Sequence, residues 1–547
     1  MLKRDARNAE VISWFLAVID KTKLNIVVLM VVQVLLGMSG VALAWFMREM
    51  IDQAVAKELD GFIHAAIVFV LIIVATISLR AFLRYMLELT RSTIENKFKA
   101  KVFGAALDGD YLKVSSVHSG EWMNRLTSDT VVVADGIATI VPEAAGMVAK
   151  IVGAVVLLVI MLPFFAALIV PGGVILLTFS YLFRRKLKEL HKGVQEADGS
   201  LRIFMTEHLS NLLIVHSFGK TQLANSQAQD LMEGHKAKRM IRNKFSNICN
   251  IGFAALINGT YALGAIVCGY GILLGTISYG TFVAVIQLIS QIQAPIANVT
   301  GYLPKYFAAI ASGERLMDAV NGVTRDEQGE DTERQGFSGV EMENVSFSFD
   351  GLTNVLEDVN LTINPGDFIA ISGVSGGGKS TLLRLLMGVY NPSSGHRICS
   401  GQKVFAYVPQ GNQLMSGTIR QVLTFGDKEL MENEDSLWSA LSVACIDDVV
   451  RELDGGLDAT IGEKGLGLSE GQIQRIAIAR ALVSNHPVLL LDEATASLDM
   501  DTERKLLNNL RELTDRTVVI VTHRPAAFDV CQRRYVVENG RVNQWTD

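Results

Sequence analysis

The sequence predicts a two-part chain: a membrane α-helical domain of six transmembrane helices, followed by an α/β domain built around a phosphate-binding loop. Half of the 547 residues are hydrophobic and only 19% are charged. With a mean hydropathy of +0.31, that composition places part of the chain in lipid. Apolar stretches of membrane-spanning length recur through the first 310 residues and then stop. The second part carries the spacing G-x-x-x-x-G-K-[ST], with a strand-like run before it and a helix-like run after it.

A spanning helix needs about 20 mostly apolar residues to cross roughly 30 Å of hydrocarbon. Residues 24–47 meet that without a charge, and 62–79 nearly do. The apolar run 151–183 is too long for one crossing, and Pro163 divides it, giving a third helix at 137–162 and a fourth at 164–183. Residues 251–274 and 282–303 supply the fifth and sixth, across a short glycine-containing turn. Six crossings put both ends of the domain on one side. Lys3, Arg4, Arg7, Lys21 and Lys23 precede the first helix, Arg84, Arg91, Lys97, Lys99 and Lys101 follow the second, and Arg184, Arg185, Lys186 and Lys188 follow the fourth. The bias of basic residues to the inner face makes these ends cytoplasmic. The expected location is the cell membrane, with the N-terminus and the second domain in the cytoplasm.

The inner connections, 84–135 and 184–246, are too long for structureless loops and read as continuations of the membrane helices. Short transverse helices are expected near 115–120 and 210–218. At the N-terminus, where no secretory pattern occurs, Val11, Ile12, Phe15, Leu16, Val18 and Ile19 recur at helical spacing, as in an amphipathic helix on the membrane face. Residues 321–338 are polar and read as a solvated linker. The expected division is a transmembrane domain at 1–310, a linker at 311–338 and an ATP-binding domain at 339–547. On the sixth helix Gln287, Gln291, Ala294 and Asn298 form a polar stripe, and Glu143 and Lys150 share a face of the third. Such groups should avoid lipid: the stripe either bonds neighbouring helices or lines a path through the membrane, and Glu143 and Lys150 should face protein or water.

The net charge of -6 and the crowding of basic residues beside apolar segments give no sign of a nucleic-acid surface. The five cysteines are scattered without C-x-x-C spacing and read as reduced thiols, free of disulfide or metal.

In the second part, 367–372 reads as a strand, followed by Gly373, Val374, Ser375, Gly376, Gly377, Gly378, Lys379 and Ser380. The glycines let backbone N–H groups wrap phosphates, and the following helix adds positive potential at its N-terminus. Lys379 can reach the β and γ phosphates, and the Ser380 hydroxyl can ligate Mg²⁺. The run 488–491, Val-Leu-Leu-Leu, suits a parallel strand buried on both faces and ends in Asp492 and Glu493. Asp492 can hold the Mg²⁺ shell, and Glu493 can polarise an attacking water.

Leu468, Ser469, Glu470, Gly471 and Gln472, followed by Gln474, Arg475 and the run 477–481, resemble the signature helix of ABC ATPases. Gln410 in the sequence Tyr-Val-Pro-Gln, the run 496–499 after the acidic pair, His523, and the segment 460–465 resemble further elements of that family in their usual order. With the six-helix domain ahead of it, the whole chain resembles an exporter-type ABC half-transporter. The resemblance implies ATP and Mg²⁺ as cofactors, with Phe349 stacking on adenine and Thr381 joining the phosphate loop. It further implies that Gln410 senses Mg²⁺ and the attacking water, and that His523 meets the γ-phosphate. Ser469, Gly471 and Gln472 would complete the site of a second subunit, so the chain would work as an obligate homodimer or as a heterodimer with a related half-transporter. Three departures stand out: Glu470 at a usually small signature position, Phe349 without a tyrosine hydroxyl, and a short segment 394–407.

The expected function is ATP-driven export of a drug, lipid or peptide across the bilayer. The alternatives are an ATP-gated regulator or channel-like protein, and an importer on the same fold.

Overall fold

A computed structural model describes residues 2–324, 339–399, 404–411, 414–462 and 467–545. The chain separates into two compact units, one of Met1–Ala105 with Ser119–Asn321, the other of Ala106–His118 with Gly322–Asp547.

The helices of the first part of the chain are α1 (Leu2–Ile19), α2 (Lys23–Ala56), α3 (Leu59–Asp108), α4 (Tyr111–Ser115), α5 (Ser119–Asn124), α6 (Thr130–Met161), α7 (Pro163–Ser210), α8 (Leu212–Ser217), α9 (Thr221–Leu273) and α10 (Tyr279–Gly322). The six long ones match the six predicted spans, two of which, 137–162 and 251–274, run one residue past the helix end. Ala6–Ala56, Leu59–Asp108 and Ser119–Met161 are long and apolar enough to cross a membrane among the described residues. Most side chains of 164–185 and 294–303 lie outside the described residues, including Ala294 and Asn298 of the expected stripe. Pro163 divides the long apolar run as predicted: α6 stops at Met161 and Pro163 opens α7, where its missing N–H costs no hydrogen bond.

α3 has 50 residues, about 75 Å at 1.5 Å per residue, more than twice the hydrocarbon thickness. The inner connections are therefore helical extensions ending in the short helices α4 and α8. α4 lies ahead of the expected 115–120 because the Asp110 carboxylate accepts the Leu112 N–H at 2.8 Å and starts the helix there. α10 runs on to Gly322 with Leu316 and Ala319 buried, so the first part of the expected linker is helix. Residues 325–338 lie outside the described residues.

Glycines let α2 and α6 approach closely. A Cβ on Gly37 would lie 2.6 Å from the Gly146 carbonyl oxygen, and one on Gly146 2.8 Å from that of Gln33. Val41, Ala44, Leu158, Leu288 and Ile289 fill the adjoining core between α2, α6 and α10. The apolar face of α1 is only partly free for lipid. Val11, Phe15 and Ile19 are buried, the Phe15 ring meets Phe98 edge-on at 5.7 Å, and Ile12 and Leu16 point outward.

The second unit contains β1 (Val340–Ser348), β2 (Asn354–Ile363), β3 (Phe368–Gly373), α11 (Lys379–Leu386), β4 (Ser394–Cys399), β5 (Phe405–Val408), β6 (Gly417–Thr418), α12 (Ile419–Thr424), α13 (Lys428–Glu432), α14 (Glu434–Val443), α15 (Asp447–Glu452), β7 (Thr460–Ile461), α16 (Glu470–Val483), β8 (Val488–Asp492), α17 (Met500–Arg511), β9 (Thr517–Val521), α18 (Pro525–Val530), β10 (Arg533–Glu538) and β11 (Arg541–Gln544). The main sheet has the order β11-β10-β3-β9-β8-β5 and is parallel except at β11. β8 and β9 are buried along their whole length because both faces are covered, which explains their unbroken apolar sequence. One face packs with α12, α14 and α16, and the other with α11 and the antiparallel sheet β2-β1-β4. The short segment 394–407 still supplies β4, paired with β1 from Val340↔Cys399 to Ser346↔Ser394.

α4 belongs to this second unit. Tyr111 lies 6.2 Å from Tyr390 between ring centroids, Leu112 packs on the apolar core, and the Asp110 N–H donates to the Val323 carbonyl at 2.8 Å.

Candidate active site

Parallel strands end together, so the loops beyond the C-terminal ends of β3, β8 and β9 and the residues after β5 gather at one edge of the sheet. The loop after β3 needs its glycines. Gly373, Gly376 and Gly378 have φ of 145°, 79° and 97°. A Cβ on Gly373 would also fall 2.2 Å from the Val537 carbonyl oxygen. Lys379 opens α11 with only 7% of its surface exposed. Its ammonium donates to the carbonyls of Gly373 at 2.7 Å and Val374 at 3.0 Å, which holds the charge inside the loop. Ser380 and Thr381 follow in the first turn of α11.

Asp492 closes β8 and is 2% exposed. The Tyr407 hydroxyl, one strand away on β5, donates to its Oδ2 at 3.1 Å. Burial, and next the Asp492 charge, push the Tyr407 phenol well above the usual tyrosine range, so it remains a donor. Sequence reading missed this residue, because its pairing depends on strand register. Glu493 leaves the strand in the left-handed region, with φ 52°. That turn aims its carboxylate across the edge, where Oε2 accepts from Gln410 Nε2 at 2.7 Å and Oε1 lies 3.8 Å from His523 Nε2. Gln410, Glu493 and His523, distant in sequence, thus form one cluster beside the buried Asp492.

Phe349 presents a half-exposed ring, held edge-on by Phe347 at 5.0 Å and Tyr390 at 5.9 Å, and stacking needs no hydroxyl. Ser469 caps α16. Its Oγ accepts the Gln472 N–H at 3.3 Å and the Gln472 side chain accepts the Ser469 N–H at 2.8 Å. Glu470 is exposed in the first helical turn, where a helix dipole favours an acid. A Cβ on Gly471 would sit 3.0 Å from the Ser497 carbonyl, which accounts for glycine there. The segment 463–466 lies outside the described residues.

A second group of side chains fixes the run after the acidic pair. Gln474 accepts from Ser497 Oγ at 2.5 Å. Arg524 donates to the Leu498 carbonyl at 2.7 Å and to Glu503 at 3.0 Å, and Glu503 accepts from Thr495 at 2.7 Å. Glu503 is buried, and its charge is matched by this arginine.

A phosphate-wrapping loop, a buried acid and a positioned carboxylate on a parallel sheet, joined in one chain to a bundle of membrane-length helices, define a membrane transporter driven by nucleotide. The chain belongs to the ABC transporters and has exporter architecture. Residues 26–296 match the family described as ABC transporter transmembrane region, and residues 356–496 match that described as ABC transporter. Among similar proteins, one of Rickettsia bellii (strain RML369-C), whose name places it with the export ATP-binding/permease proteins, is 26% identical over 531 residues, covering 90% of this chain and 88% of that one. A "Multidrug resistance ABC transporter ATP-binding and permease protein" of Lactococcus lactis subsp. lactis (strain IL1403) is 28% identical, over 78% of this chain and 74% of its own. The solved "Structure of a bacterial Atm1-family ABC exporter with ATP bound" shares the fold, with a TM-score of 0.79, 21% identity, and coverage of 97% and 96% of the two chains. The protein is a multi-pass membrane ATPase that binds nucleotide and acts as a dimer.

Proposed function

We propose that this chain, paired with an identical or closely related subunit in the cell membrane, hydrolyses MgATP in the cytoplasm and exports an amphiphilic substrate. The observation that supports hydrolysis is the Glu493 carboxylate, oriented by Gln410 at 2.7 Å and faced by His523 at 3.8 Å, immediately beyond Asp492. In this reading Glu493 is the general base for water, Gln410 holds that water and His523 meets the γ-phosphate. Residues 373 and 375–381 wrap the phosphates with Lys379 at their centre, and Phe349 stacks on the base. Ser469, Gly471 and Gln472 close the site of the partner subunit. Ser380, Asp492 and Gln410 offer only oxygen donors at the sheet edge, a set that suits Mg²⁺. When bound, the ion would neutralise charge on the phosphates. Basic residues beside the first, second and fourth spans support a cytoplasmic N-terminus and ATPase domain. The working division is a transmembrane domain at 1–310, a linker at 311–338 whose first part is the end of α10, and an ATP-binding domain at 339–547.

The test is ATP-dependent uptake into inside-out vesicles holding the purified protein, with phosphate release measured in parallel. Hydrolysis with uptake is the expected result. Nucleotide binding without steady turnover would overturn the reading in favour of a switch.

A further inference from the structure

With the N-terminus in the cytoplasm, the outer end of the membrane domain includes the last turns of α2, the turn between α9 and α10, and the first turn of α10. Asp52, near the end of α2, engages that turn with both carboxylate oxygens. Oδ1 accepts the Gly280 N–H at 2.9 Å, and Oδ2 accepts the Ser278 hydroxyl at 2.8 Å. The acid thus caps a helix from a distant part of the chain, at the end where the helix dipole favours negative charge. Ser278 Oγ in turn accepts the Thr281 N–H at 3.1 Å. Arg48, one turn back on α2, brings its Nε to 3.5 Å from the same Oδ2 and lies over the Trp45 ring at 5.2 Å. Glycine at 280 permits the approach: a Cβ there would fall 2.3 Å from the Arg48 carbonyl oxygen and 2.6 Å from Asp52 Oδ1.

A second, apolar layer lies beneath. Trp45, Ile277 and Phe282 pack on a core that includes Val41 and Ala44 of α2, Cys268 of α9, and Val285 and Leu288 of α10. Cys268 and Val285 are both fully buried. Each stands five residues from the outer end of its helix or from Gly280, about 7.5 Å of helix below the acid.

The two layers differ in what parting them costs. The Arg48 and Asp52 side chains are 30% and 26% exposed, so water can replace their bonds when the helix ends separate, and the contact can break and re-form. The core beneath is shielded from water only while α2 stays against α10. A protein that releases cargo outward must open this end and then close it again.

We infer that Asp52, with Ser278, Gly280 and Arg48, is a latch that holds the outer end of the membrane domain closed and lets go when that end opens. The event that releases it rests on the transporter reading.

The native Cys268 reports on the latch. The full chain in right-side-out membrane vesicles is treated from outside with membrane-impermeant sulfonatoethyl methanethiosulfonate, and labelling of Cys268 is followed by mass spectrometry, with Cys268→Ala as the blank. Without nucleotide, Cys268 of the parent should be protected. Asp52→Ala should raise its labelling rate at least about tenfold, the size of one hydrogen bond to a charged group. Asp52→Asn, which keeps an acceptor for the Gly280 N–H, should fall between the two. A second variant keeps the outer end joined instead of freeing it. Asp52 Oδ2 and Ser278 Oγ are 2.8 Å apart, so Asp52→Cys with Ser278→Cys can form a disulfide. In vesicles loaded with MgATP and carrying Glu493→Gln to hold the nucleotide, Cys268 should become reactive. The disulfide should keep it protected there, and reduction should restore labelling. Fast labelling of the nucleotide-free parent, an unchanged rate in Asp52→Ala, or labelling that ignores the disulfide overturns the latch. Exposure of Cys268 by Asp52→Ala but never by MgATP would sink the transporter reading and leave the latch standing.

Discussion

Replacing Glu493 by Gln isolates one chemical property at an almost unchanged shape. The carboxylate is held through Oε2 by Gln410 at 2.7 Å, with His523 at 3.8 Å from Oε1. A glutamine amide can turn its oxygen toward Gln410 and keep that hydrogen bond, and its backbone can adopt the same left-handed conformation at φ 52°. Folding should change by less than about 1 kcal/mol, a shift of at most about 4 °C in Tm for a domain of this size. What disappears is the base. General-base catalysis contributes about 10²–10⁴ in rate, or roughly 2.7–5.4 kcal/mol of barrier. Phosphate release from liposome-reconstituted Glu493→Gln should fall by that factor, while ATP binding measured by equilibrium dialysis stays within about threefold of the parent. Turnover within about threefold of the parent would refute the role given to Glu493. Loss of binding together with turnover would instead show a structural role.

Mixed dimers of Lys379→Ala and Ser469→Arg chains, each inactive alone, should regain one complete site and recover part of the ATPase rate; no recovery in verified mixed dimers counts against a site shared between subunits. Tyr407→Phe removes the donor to Asp492, and the Mg²⁺ concentration giving half-maximal ATPase should rise about tenfold. Because the phenol is held protonated far above neutrality, that ratio should not change between pH 6 and 9. The N–H groups of Thr353 and Leu352, in that order, and then the Ser348 hydroxyl hold Asp350 down from 3.8 to about 2. Its stabilisation is therefore complete above pH 3.8 and lost as pH falls toward 2, so Asp350→Asn should flatten acid unfolding in that window, as read by circular dichroism. A cysteine at 291 should react more slowly with a water-soluble thiol reagent than one at 287, since Gln291 packs on Gly40 of α2; equal fast rates would return Gln291 to a water-filled path.

The sequence alone determined the elements whose physics is local. Apolar runs of bilayer length had to become helices, because lipid offers the backbone no other partner. Pro163 had to end one of them. The glycines at 373, 376 and 378 had to mark a loop that L side chains cannot adopt, and 488–491 had to be a strand covered on both faces. Residue types and order also carried the identities of Lys379, Asp492, Glu493 and His523. Tertiary structure decided what depends on register and approach. Only the pairing of β5 with β8 sets Tyr407 beside Asp492, and only the close passage of α2 and α6 over glycine brings Lys150 level with Gly37. The attachment of α4 to the second unit and the burial of Val11, Phe15 and Ile19 had no distinguishing pattern of their own. An apolar helical face reads the same whether lipid or protein covers it, because the hydrophobic effect is proportional to area and carries no address.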